Sequence, residues 1–111
     1  MIRESDRIKS KLYALNLRLA ELKSELHRTR IRILQLEAEC EDARLAALFG
    51  EDLDGRGQLE PQLEAARRDL DTQQEMIRRV RTSQGETQLR YSVARRQEEA
   101  QARRSRGESP A

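Results

Sequence analysis

The chain has 111 residues, of which 38% are charged and only Tyr13, Phe49 and Tyr91 are aromatic; 22 lysines and arginines nearly balance 20 aspartates and glutamates, for a net charge of +2. So few large apolar side chains cannot offset the conformational entropy of a compact globular core. That composition belongs either to a long helix or coiled coil or to a disordered chain, and at most one domain is expected.

The leucine phase decides for helix over residues 5–82. The N-terminal segment, 1–49, reads as helix one, with Ser5 or Asp6 placed to cap its first turn. Ile8, Leu12, Leu15, Leu19, Leu22, Leu26, Thr29, Ile33, Leu36, Cys40, Ala43 and Ala47 alternate spacings of four and three. This rhythm puts all of them on one seam of a helix, where a second helix can cover them. Gly50 is the expected C-terminal stop.

Residues 50–60 hold three of the five glycines and a cluster of acids, so the chain turns there. Pro61 suits the first turn of a new helix, since its missing N–H has no intrahelical acceptor there. Helix two is expected over 61–102, with Leu59, Leu63, Ala66, Leu70, Gln73, Ile77 and Val80 continuing the four-three rhythm. A short connection between helices of similar length makes them antiparallel neighbours.

The stretch Thr82-Ser83-Gln84-Gly85-Glu86 leaves two paths open. Gly85 costs about 1 kcal/mol inside a helix, which a packed helix tolerates, and the old seam continues through Gln84, Thr87, Tyr91 and Ala94. Alternatively, Ser83 and Glu86 form a capping box that starts a third helix, with a shifted stripe at Leu89, Val93 and Ala100. Residues 103–111 read as a polar, disordered tail. The expected fold is therefore all-α: an antiparallel two-helix coiled-coil hairpin, with a third helix after Gly85 as the alternative. This is similar in architecture, without a shared motif, to small helical-hairpin stalk and export-accessory proteins, in which a two-helix rod bridges larger machines.

Helix one carries a second apolar stripe. Ile31, Leu34, Ala38, Leu45 and Leu48 fall at heptad positions b and f, opposite the main seam. A lone hairpin would leave that face polar, so these residues mark a surface for self-association or a separate protein partner; a third helix covering them is the competing account. Within the chain the expected seam pairs Leu12, Leu15, Leu19, Leu22, Leu26, Ile33, Leu36 and Cys40 against Leu63, Leu70, Ile77 and Val80.

Charge is segregated along the sequence. Residues 1–36 carry nine basic and four acidic groups, residues 37–64 two and nine, and residues 78–111 nine and four. A hairpin would thus bring basic segments together at its termini and acidic ones at its turn. The basic end contains Arg78, Arg79, Arg81, Arg95, Arg96, Arg103 and Arg104, enough to neutralise phosphates, so a nucleic-acid-associated helix is an alternative function. Against it, stacking aromatics are nearly absent and Glu98 and Glu99 dilute the block.

The turn Asp52-Leu-Asp54-Gly55-Arg56-Gly57-Gln58-Leu59-Glu60 resembles the first nine positions of an EF-hand calcium loop. It departs where ligands are needed: position five is Arg56, position twelve is Leu63, and Glu64 comes one residue late. A weak calcium-responsive hairpin is therefore a second alternative, and no cofactor or metal site is expected. Cys40, the only cysteine, allows neither an internal disulfide nor a cysteine-based zinc site; it reads as a small seam hydrophobe, or else as a redox link between copies. His27 falls on an exposed face, no nucleophile has an identifiable base, and an enzyme is not expected. The polar N-terminus and the lack of a long apolar run predict no leader, no membrane insertion and a cytoplasmic location.

Overall fold

The computed structural model describes residues 2–50 and 56–107. Two long helices, α1 (Glu4–Leu48) and α2 (Leu59–Ser105), pack against each other as a helical hairpin, with a 3₁₀ turn at Arg56–Gln58 leading into α2. No strand occurs among the described residues.

No glycine or proline interrupts α1, which is built mainly from leucine, arginine, glutamate and alanine, all good helix formers. Its end is set by Gly50, at φ +75°. That left-handed conformation is cheap only without a Cβ. The last turn tightens as the N–H groups of Phe49 and Gly50 donate to the carbonyls of Ala46 and Ala47, both at 3.1 Å.

The start of α1 differs from the expected cap. The Arg3 carbonyl accepts from the N–H groups of Asp6 (3.1 Å) and Arg7 (3.2 Å), so Ser5 and Asp6 lie inside the first turn. Ser5 does serve the helix start, but through α2, as described below.

α2 begins two residues before Pro61, which still falls in the first turn, among the positions whose N–H groups have no intrahelical acceptor. The helix passes Gly85 without a break, so the chain takes the continuous path and forms no third helix among the described residues. It runs on to Ser105, past the expected end at 102, with Arg103 and Arg104 in the last turn, where cations complement the helix dipole. Gly107, at φ +73°, follows that end, and the tail beyond 107 lies outside the described residues.

The chain divides into two packing units. One is Glu21–Ile77. Its seam is aliphatic: Leu22, Ile33, Leu36, Ala43, Leu63, Ala66 and Ile77 are buried. Ile33, Leu36, Leu63 and Ala66 form one cluster, with Cys40, Leu59 and Leu70 packed against it. Leu26 and Gln73 are half-buried, and Gln73 Oε1 is enclosed without a hydrogen-bond partner.

The other unit joins Met1–Ala20 to Arg78–Ala111. Here the buried seam residues are small or polar: Ser5, Thr87 and Ala94. Leu12, Leu15, Leu19 and Val80 are half-buried. Two cross-helix contacts set its register: Ser5 meets Glu98, and Gln84 Nε2 donates to Asn16 Oδ1 at 2.6 Å. Moving forward along α1 means moving backward along α2, as an antiparallel pair requires.

Candidate helix-docking faces

In the Glu21–Ile77 unit, the heptad seam turns one face of α1 toward α2 and so turns the b and f positions away from it. Ile31 is 42% exposed, Leu34 66%, Leu45 46% and Leu48 76%. The seam residue Leu36, two positions from Leu34, is 1% exposed. Ala38 continues the outer stripe, and Phe49, just past the helix end, is also largely exposed. The stripe therefore stays largely open, and no third helix covers it among the described residues.

Charge around the stripe changes sign after Leu36. Residues 26–36 contain Arg28, Arg30 and Arg32 and no acid; residues 37–42 contain Glu37, Glu39, Glu41 and Asp42 and no base. Arg44 follows and pairs with Glu41 one turn back, at 3.3 Å on the solvent side. Such an exposed pair contributes little stability but fixes where the two charges stand.

The second unit is strongly basic, with fourteen basic and six acidic residues, against eight and fourteen in the first. Arg78, Arg79, Arg81, Arg96, Arg103 and Arg104 are exposed. Arg95 is half-buried and reaches Glu98 at 4.0 Å and Glu99 at 3.6 Å. Glu98 has a structural task that the sequence did not reveal. Its Oε2 accepts from the Ser5 hydroxyl at 2.7 Å and its Oε1 from the Ser5 N–H at 3.2 Å. A carboxylate from α2 thereby caps the N-terminus of α1. The Ser5 hydroxyl bond holds the Glu98 carboxyl below its ordinary value; burial opposes this, and the Ser5 N–H, Arg3 and Arg95 support it.

This unit also exposes apolar side chains. Tyr13 and Leu17 on α1 are each 63% exposed, and Lys9 Nζ lies 5.9 Å from the Tyr13 ring centroid. They share the b/f phase of Ile31 and Leu34, a spacing visible in the sequence that the stripe assignment left out. On α2, Leu89 and Val93 of the shifted stripe are exposed.

The remaining sequence candidates are scattered. Cys40 is half-buried in the aliphatic cluster, and His27 stands on the exposed surface. Asp52 and Asp54 of the calcium-like turn lie outside the described residues; among the described residues, no group of three potential metal ligands comes together. An open groove of about 460 Å³ beside the seam is lined by Arg28, Thr29, Arg32, Gln62, Ala65, Ala66 and Asp69, with Arg32 donating to Gln62 at 3.3 Å. Among the described residues, no helix is long and apolar enough to cross a membrane. Comparison with protein-family models, curated proteins and solved structures returns no match.

Proposed function

We propose that this protein is a structural or adaptor coiled-coil element that docks or oligomerises through helix–helix packing within a larger assembly. The observation that carries this reading is the exposed stripe Ile31, Leu34, Leu45 and Leu48 on α1. Four large aliphatics at heptad spacing, on a helix whose inner seam is already filled, form a surface that a further helix can cover. Isolated surface leucines are ordinary; a phased row of them is the pattern of helix-in-groove recognition.

The test compares the tagged wild-type chain with a Leu34→Glu/Leu45→Glu variant in the native host. The adaptor reading expects one stoichiometric protein, or further copies of the chain itself, recovered with the wild type and lost with the variant. Equal recovery by both would overturn the assignment of this face. A second reading, nucleic-acid association, draws on the excess of eight positive charges in the Met1–Ala20/Arg78–Ala111 unit. It expects binding that weakens steeply with salt and survives the leucine substitutions.

A further inference from the structure

α2 carries a face of its own on the side turned away from its seam. We infer that this face, from Leu89 to Arg104, docks an acidic amphipathic helix of another protein. It lies on a different helix from the Ile31, Leu34, Leu45 and Leu48 stripe and goes beyond the docking reading given to that stripe.

Burial fixes the phase. Thr87 and Ala94 are buried and Tyr91 and Glu98 half-buried, so these four mark the seam of α2 at this level. Heptad spacing then puts Leu89, Arg96 and Arg103 at position f and Val93 and Ala100 at position c, away from the seam. Leu89 is 71% exposed and Val93 52%. Ala100 is half-buried, and Arg90, Arg96, Arg103 and Arg104 are all exposed. The face is a short apolar row set among arginines, over about 22 Å of helix.

Charge selects the occupant. The acids of α2 over this stretch are Glu86, Glu98 and Glu99. Glu98 accepts from Ser5 in the seam, and Arg95 pairs with both Glu98 and Glu99. Glu86 is left at one edge of the face, and the rest of its charge is guanidinium. Arginine forks match carboxylates in bidentate pairs, and flanking charge chooses a partner more than it adds affinity. A helix with aliphatics at heptad spacing and carboxylates beside them meets both parts of the face. A phosphate backbone gains nothing from Leu89 and Val93, and no aromatic side chain stands on this face to stack a base. A membrane surface calls for a broader apolar face than this one, which Arg96 interrupts between Val93 and Ala100.

Fluorescence anisotropy tests the face with a synthetic peptide carrying leucines at heptad spacing and glutamates between them. Its control is a peptide of the same composition with the leucines scrambled. The full chain is expected to bind the phased peptide about tenfold more tightly than the scrambled one. Leu89→Ala/Val93→Ala should weaken that binding about tenfold with helicity unchanged, since both sites are exposed and alanine favours helix. Arg96→Ala/Arg103→Ala should weaken it about threefold at low salt. Leu34→Glu/Leu45→Glu on α1 should leave it unchanged, so this face and the α1 stripe fail or stand separately. Equal binding of the two peptides, including none, would overturn the face, as would binding indifferent to Leu89 and Val93. Tighter binding of single-stranded RNA or of phosphatidylserine vesicles would overturn the acidic helix in favour of that ligand. Self-association of the wild type in sedimentation equilibrium, lost in Leu89→Ala/Val93→Ala, would replace the other protein by a second copy.

Discussion

In the Glu21–Ile77 unit the helices meet through Leu22, Ile33, Leu36, Leu63 and Ile77, whereas in the Met1–Ala20/Arg78–Ala111 unit the buried positions among the described residues are Ser5, Thr87 and Ala94. The same four-three spacing runs through both. One seam is closed by non-directional apolar burial, which tolerates small errors of register. The other adds to its half-buried Leu12, Leu15, Leu19 and Val80 two directional hydrogen bonds, Ser5 to Glu98 and, on the exposed side, Gln84 to Asn16, which demand one register. The aliphatic unit therefore holds most of the hydrophobic stabilisation, and the polar unit supplies alignment.

The largest test of that contrast is truncation of the two seams. Leu36→Ala should destabilise by about 2–4 kcal/mol, because Leu36 is 1% exposed and its removal leaves a cavity. Leu12→Ala, at a half-buried position of the polar unit, should cost about 1–2 kcal/mol. Urea unfolding followed by circular dichroism measures both, and equal losses would erase the distinction.

Gln73→Leu sharpens the contrast from the opposite direction. Gln73 places an oxygen without a partner in the aliphatic unit, so an apolar replacement should stabilise by about 1–2 kcal/mol. No gain in the urea midpoint would mean that the oxygen is satisfied in solution.

Gly85 weakens the polar unit independently of its contacts. It lies within α2, and a Cβ there would meet nothing within 4 Å. Gly85→Ala should raise stability by about 1 kcal/mol through backbone entropy. A loss would show that solution structure departs from an unbroken α2.

The smallest effect belongs to pH. Because Glu98 titrates below its ordinary value of 4.5, its contact with Ser5 stabilises the fold at and above that pH. The contribution is lost as pH falls through the lowered value. Hydrogen exchange at the Ser5 amide should accelerate, relative to its intrinsic rate, across that acid range in the wild type and show no such step in Glu98→Gln. Amides around Leu36, which belongs to the other unit, should show no step that depends on Glu98.

The exposed stripe was readable because its signal is periodic: Ile31, Leu34, Leu45 and Leu48 share one phase, and phase is a local property of the chain. The same rule would have added Tyr13 and Leu17. The Glu98 cap was not readable, since its partners stand 93 residues apart and meet only when the helix register is fixed. In the sequence, Glu98 looked only like an acid diluting an arginine-rich block.

By itself the sequence determined two amphipathic helices, the residues of their shared seam and the stop at Gly50, because backbone conformation and side-chain spacing act over a few residues. Ser83 and Glu86 offered a locally acceptable helix start, and only the tertiary structure decided against it. Continuing the old seam through Thr87 and Ala94 buries both against α1, and that packing outweighs the preference of one glycine. The division into an aliphatic and a polar unit was decided in the same way, by which residues the antiparallel register brings face to face.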